Sequence, residues 1–275
     1  MTSDLIFNAI TSGENVAITN VAGRGPLVLV CEHASNNVPE EFVDLGLGKQ
    51  HLNSHIAWDP GALAVAMALS VIFDAPLVAT AVSRLVYDCN RPPEAPDAIA
   101  EKSEIYDIPG NVGLDQTARQ ARAEKFYHPF RRALEAVIDM KEKNAVSQAT
   151  QPPAVISLHS FTPVYKNRKR DFDLGVLHGI DRRLADRVLT YAALAGELTT
   201  RRNEPYGPGD GVLHTMTEHA VPRGIPNVMI EIRTDIISNP DQQAAISSRL
   251  ACYLEEALVD LGVMEAHSVS GTQSQ

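Results

Sequence analysis

Four times along this chain a short apolar stretch stops at a cluster of polar side chains. Leu27–Cys31 (LVLVC) runs into Glu32, His33, Ser35, Asn36 and Asn37. Residues 77–82 lead into the polar segment SRLVYDCNRPP at 83–93. Residues 155–158 end at His159, Ser160 and Thr162, and residues 227–232 carry Glu231 and are followed by Arg233. Continuous apolar runs of this length fit strands buried on both faces, as in a parallel sheet. In an open α/β sheet, ligands collect beyond the carboxyl ends of the strands. The pattern therefore places several polar clusters at one edge of one sheet.

The segments between these runs read as helices. Asp59 can cap a helix that has Pro60 at its first position and Ala62, Val65, Ala66, Leu69 and Phe73 on its inner stripe. A long helix is expected over 115–143, kinked or divided at Pro129. Residues 172–177 form a further strand, and the helix at 182–195 stops at Gly196. The last helix opens with Asn239 as cap, Pro240 next and Gln242 three residues on, and it ends at Gly262. Residues 1–26 are a mixed lead-in, 94–113 a long surface loop, and 203–213 (NEPYGPGDGVL) a loop shaped as a flap. Strands alternating with helices predict an α/β fold. The expected form is a single-domain three-layer α/β/α arrangement over 1–265 with a mostly parallel, mixed sheet, followed by a disordered tail at 266–275.

A net charge of −10 argues against a surface that tracks nucleic-acid phosphates. Three scattered cysteines rule out a disulfide framework and a Cys-rich zinc site, and they fit a reduced compartment. The first ten residues lack a signal-peptide pattern, and no apolar run approaches the ~20 residues of a membrane span. The expectation is a cytoplasmic protein acting on a small molecule, without nucleic-acid or membrane partners.

His33 and His159 each follow an apolar strand. Two imidazoles at one sheet edge fit a divalent metal, zinc first, completed by a carboxylate. Asp59 is the first choice for that carboxylate and Glu32 the second. A structural role for either histidine carries about equal weight on spacing alone. Glu231 lies in the apolar stretch VMIEIR, where a carboxylate is costly unless paired or used. Two readings stand: an internal ion pair with Arg233 or Arg91, or a general base that activates water and then protonates a leaving amine. Arg84, Asn90 and Arg91 share one loop, and arginine suits bidentate carboxylate recognition. Their alternative is bracing that loop, together with Asp88. Cys89 has no nucleophile signature around it. GPGDG at 207–211 lacks the Lys-Ser/Thr of a phosphate loop.

Taken in order, CEHASNNVP, the turn at 59–62, SRLVYDCNRP, ISLHSF, GDGVLHTMTEHA and VMIEIR resemble the N-formylglutamate amidohydrolase family, over roughly residues 25–260. That family is related to the zinc carboxypeptidases and aspartoacylases. The resemblance implies a zinc-exopeptidase-like fold and a hydrolase acting on linear amides, such as that of N-formylglutamate. It implies His33 and His159 as metal ligands and Glu231 as the acid/base. Asn90, Arg91 and Arg84 would hold a substrate carboxylate, and Arg91 would also belong to the catalytic set. Ser160, His219 and Arg233 complete the expected substrate-binding set. Two departures stand out. The related enzymes place Glu three residues after the first metal histidine, where this chain has Asn36. The first motif reads EHASN rather than the His-Ser-Gly form. The alternatives are a hydrolase that trims peptide ends and a non-catalytic protein that binds amino-acid derivatives on the same scaffold.

Overall fold

A computed structural model describes residues 15–266. Its centre is a seven-stranded sheet of β1 (Val16–Thr19), β2 (Leu27–Cys31), β3 (Leu77–Thr80), β4 (Ala154–Phe161), β5 (Leu174–Leu177), β6 (Thr200–Arg202) and β7 (Asn227–Arg233). The spatial order is β1-β3-β2-β4-β7-β5-β6. β3, β2, β4 and β7 pair in parallel, as do β5 and β6. β1 on β3 and β7 on β5 are antiparallel, so the sheet is mixed.

β2 shows why the sheet has two covered faces. Side chains alternate along a strand. Leu27, Leu29 and Cys31 join the core beneath α1 (Ala62–Ile72), α4 (Arg183–Ala195) and α5 (Pro240–Asp260). Val28 and Val30 join a second core beneath α3 (His128–Gln148) and the loops on that side. This is the expected three-layer α/β/α architecture.

The long helix at 115–143 is divided, for an identifiable reason. α2 (Gln116–Arg122) passes into a π-helical turn, Ala123–Tyr127, before α3 begins. Pro129 has no N–H to offer the carbonyl four residues back, and a π turn absorbs the defect. The carbonyl left over, that of Lys125, accepts a hydrogen bond from Asn15 Nδ2 at 3.1 Å.

Four expectations need correction or completion. Asp59 does not cap α1 with its side chain. The helix starts at Ala62 after Gly61, whose φ of 83° turns the chain away and frees the Asp59 carboxylate. The lead-in contains β1, a strand too short to stand out by pattern. Residues 94–113 are not wholly at the surface, because Ala98, Ile99, Ile108 and Asn111 are buried. Asn111 explains how this loop is internalised. Its Nδ2 donates to the Leu85 and Ala100 carbonyls, and its Oδ1 accepts from Arg122. The tail expected to be disordered lies, from residue 267, outside the described residues. Among the described residues no helix is long and apolar enough to cross a membrane.

Candidate active site

β2, β4 and β7 are neighbours, and their carboxyl ends carry the polar clusters. His159 on β4 stands in register with Glu231 on β7, so both side chains leave the same face of the sheet. His33 arrives from the end of β2. Its carbonyl accepts the Asp59 N–H at 2.9 Å, which ties the turn before α1 to the strand end.

Three donor atoms converge. Asp59 Oδ2 lies 2.8 Å from His159 Nδ1 and 3.3 Å from His33 Nδ1. The two Nδ1 atoms are 3.1 Å apart. All three residues are buried. Ligands 2.0–2.1 Å from a tetrahedral zinc would stand about 3.3 Å from one another. The trio is close to that spacing, and His33, Asp59 and His159 form a group that could hold a metal ion.

The far side of each ring supports the same reading. His33 Nε2 lies 2.8 Å from Asp88 Oδ1, and His159 Nε2 lies 3.1 Å from Glu32 Oε2. An ionised carboxylate only accepts, so each ring carries a proton on Nε2. In the neutral ring this turns the Nδ1 lone pair toward Asp59. Carboxylates behind metal-binding histidines fix the tautomer and raise ligand basicity in this way. Glu32, the second choice for third ligand, is thus the group that orients His159, and Ser157 Oγ donates to its Oε2 at 2.7 Å. Asn36 donates to Asn53 instead of facing the trio.

The surrounding acids favour positive charge on His159 and the imidazoles favour negative charge on the acids. Burial alone would disfavour the His159 imidazolium, but Glu32 and Asp59 outweigh it and hold His159 well above its ordinary pKa. Burial also pushes Asp88 upward, yet His33 and Arg84 pull it well below the carboxylate range. The same opposition, with His33 and His159 as the counter-charges, keeps Asp59 ionised.

Glu231 behaves differently. It is buried, and its Oε2 has no hydrogen-bond partner among the described residues. Burial is the main cause that pushes its carboxyl up to about 7, opposed by His159 and reinforced by Asp59. Neither arginine offered as its ion-pair partner serves. Arg233 reaches Asp173, Asp235 and the Phe172 carbonyl. Arg91 reaches Asp97 and the carbonyls of Asn90, Asp210 and Gly211.

A cavity of about 280 Å3 opens over this group, lined by His33, Asp59, His159 and Glu231 together with Arg84, Ser160, Tyr206 and others. Arg84, one of its lining residues, has Nη2 3.1 Å from Asp88 Oδ2 and Nη1 3.6 Å from Asp59 Oδ1. A second cavity of about 260 Å3 shares Asp59, Arg84, Arg91, Ser160 and Tyr206 with the first.

The structure does not bring every expected residue into contact with this space. Asn90 and Arg91 line it, but their polar atoms hold the loop above. Asn90 Nδ2 donates to the Val212 carbonyl, and its Oδ1 accepts from Thr215 N and Oγ1. His219 is buried in the π-helical turn Met216–Ala220, and Arg233 lies at the end of β7; neither lines either cavity. Sequence reasoning missed Tyr206 and took Asp88 for a loop brace. One signal for Asp88 was available: an acid two residues before Asn-Arg, in a loop read as facing a histidine. Tyr206 had none, since its place depends on Gly175, which stands in register beside Glu231. A Cβ on Gly175 would lie 1.9 Å from the Glu204 carbonyl oxygen, so only glycine lets that segment lie against the sheet.

The N-formylglutamate amidohydrolase family profile matches residues 25–238. Gene product Atu2144 from Agrobacterium tumefaciens is 49% identical and superposes with a TM-score of 0.86, covering 90% of this chain and 96% of that one. N-formylglutamate amidohydrolase from Ralstonia eutropha JMP134 shares the fold at 21% identity and a TM-score of 0.58, covering 89% of this chain and 97% of that one. Comparison with curated proteins finds no match.

Proposed function

The chain belongs to the N-formylglutamate amidohydrolase family, and from that premise we propose that it hydrolyses the amide bond of a small N-acyl amino acid in the cytoplasm. The observation that carries this reading is Glu231. It is a buried carboxyl, one oxygen of which has no hydrogen-bond partner among the described residues, beside a converged His-Asp-His trio and lining a cavity.

His33, Asp59 and His159 would hold one divalent cation, which we take to be zinc from the two-nitrogen, one-oxygen donor set. When bound, such an ion supplies Lewis-acid polarisation of the acyl oxygen and lowers the pKa of water. The chain's own residues do the rest. Glu231 titrates near neutrality, so it can take a proton from the attacking water and give it up later. The water oxygen bonds to the acyl carbon, the C–N bond breaks, and the proton held on Glu231 goes to the departing amine nitrogen. The products are a carboxylic acid and a free amino acid.

Arg84 lines the cavity and, beyond its pairing with Asp88 and Asp59, has guanidinium donors without a hydrogen-bond partner among the described residues, so it binds the amino-acid carboxylate. Asn90 and Arg91 serve by holding the loop over the cavity. Asp88 and Glu32 keep the two imidazoles in the tautomer that presents Nδ1. Three unpaired cysteines support a reducing compartment.

The test is Glu231→Gln in zinc-loaded protein. Hydrolysis of N-formyl amino acids is expected to fall by about 10²–10⁴, the range of a lost general acid/base, with zinc content unchanged. A variant that turns over at the parent rate would remove Glu231 from the mechanism.

A further inference from the structure

We infer that Thr215 is a positioning residue of the metal site: its hydroxyl donates to Glu32 and, through that carboxylate, fixes the orientation of His159. The inference rests on the metal-site reading above and extends it to the loop over the cavity.

The two oxygens of Glu32 are served unequally. Oε2 lies 3.1 Å from His159 Nε2 and accepts from Ser157 Oγ at 2.7 Å. Oε1 is buried and has no hydrogen-bond partner among the described residues. A buried carboxylate oxygen without a donor is costly, so a neighbouring donor is expected to serve it.

Thr215 is that neighbour. It is buried, as Glu32 is. Burial raises the Glu32 carboxyl, but His159 and then the hydroxyls of Thr215 and Ser157 bring it below its ordinary value. The Thr215 hydroxyl carries one proton, which rotates to suit its surroundings. Oγ1 also lies 3.1 Å from Asn90 Oδ1. That separation is long for an O–H···O bond, whose usual span is about 2.5–3.0 Å. Asn90 Oδ1 already accepts the Thr215 N–H at 3.0 Å. The choice is between a neutral acceptor that has a donor and a charged one that has none. Hydrogen bonds to charged groups are roughly twice as strong as neutral ones, so the proton goes to Glu32.

The consequence reaches the metal ligands. With a donor on each oxygen, Glu32 keeps Oε2 on His159 Nε2, and His159 Nδ1 stays 2.8 Å from Asp59 Oδ2. Without the Thr215 hydroxyl, Ser157 and His159 must serve both oxygens between them. The carboxylate then turns, and the ring loses its fixed orientation. Thr215 closely follows Asp210 and Val212, which line the inner cavity, so the loop over the substrate space and the orientation of one ligand depend on the same residue.

The experiment titrates zinc against a fluorescent chelator in the parent, Thr215→Val, Thr215→Ser and Asn90→Ala, with thermal melts of the metal-free proteins beside it. Valine keeps the shape and removes the hydroxyl. It is expected to weaken zinc binding by about tenfold, the lower end of the range for groups behind metal-binding histidines. Serine is expected to restore the parent affinity. Asn90→Ala removes only the competing acceptor and is expected to bind zinc as the parent does. Unchanged affinity in Thr215→Val, no restoration by serine, or an equal loss in Asn90→Ala overturns the inference. If Thr215→Val fails to fold, a crystal structure of the parent decides. Thr215 Oγ1 within about 3.0 Å of Glu32 Oε1 supports the inference, and a water on Oε1 with the hydroxyl kept on Asn90 overturns it. If the parent binds no divalent cation, the metal-site reading fails instead, and the same crystal structure still decides which acceptor Thr215 serves.

Discussion

Replacing Asp88 by asparagine separates orientation of a ligand from the ligand itself. Asp88 touches none of the three converging donor atoms, yet its Oδ1 lies 2.8 Å from His33 Nε2 and accepts the Asn90 N–H at 2.9 Å. Asparagine keeps the shape and removes the charge. A hydrogen bond to a charged group contributes about 1.5–3 kcal/mol and a neutral one about 0.5–1.5 kcal/mol, so the difference is about 1–1.5 kcal/mol. That corresponds to about tenfold in an equilibrium constant. Loss of groups behind metal-binding histidines costs about 10–100-fold in affinity, which includes this value. The upper end is reached if the new amide turns its NH2 toward Nε2, since the ring proton then moves to Nδ1 and blocks the ligand atom. The assay is a zinc titration against a fluorescent chelator, with thermal melts of the metal-free proteins as a control on folding. Zinc affinity within twofold of the parent, at unchanged melting temperature, would refute the orienting role. If Asp88→Asn fails to fold, Glu32→Gln poses the same question at His159.

Three further outcomes are expected. Gly175→Ala should destabilise the fold by about 1–3 kcal/mol, as overpacking does, and should raise KM by shifting the 204–206 segment; an unchanged melt would contradict the close approach of Glu204. Asn90→Ala removes the anchors to Val212 and Thr215, so limited proteolysis should cut within 207–215 faster while zinc binding stays intact; equal cleavage rates would place the loop's anchorage elsewhere. His219, whose pKa burial lowers to about 4, folds in its neutral form. Its folded pKa lies below the unfolded one, so stability is full above about pH 6.5 and is lost as pH falls toward 4, by about 3 kcal/mol. Chemical denaturation of His219→Gln should show a flatter profile over that window, and a slope equal to the parent's would refute the assignment.

What the sequence revealed follows from the physics of burial. His33, His159 and Glu231 were visible because a polar side chain at or near the end of an apolar strand must be either compensated or used. Asp59 was visible only as one of two candidates. Its neighbouring Pro-Gly turn also fitted a helix cap, and the choice between the two roles depended on Gly61 having a positive φ. Glu32 and Asp88 were visible as acids but not as partners of particular nitrogens, since tautomer and ring orientation are tertiary facts. Asn90 and Arg91 looked like free recognition groups because nothing local announces that the 210–215 backbone comes to rest on them. β1 and β6 are too short to show a period, and their neighbours in the sheet stabilise them more than their own residues do.

The central claim is that two imidazoles and one carboxylate from distant parts of the chain close on a single cation under Glu231. A zinc-soaked crystal measured at the zinc absorption edge tests it most directly. The account predicts one anomalous peak about 2.0–2.2 Å from His33 Nδ1, His159 Nδ1 and an Asp59 oxygen. A peak bound through Glu32 or the Nε2 atoms instead, or zinc found only elsewhere on the protein, would contradict it.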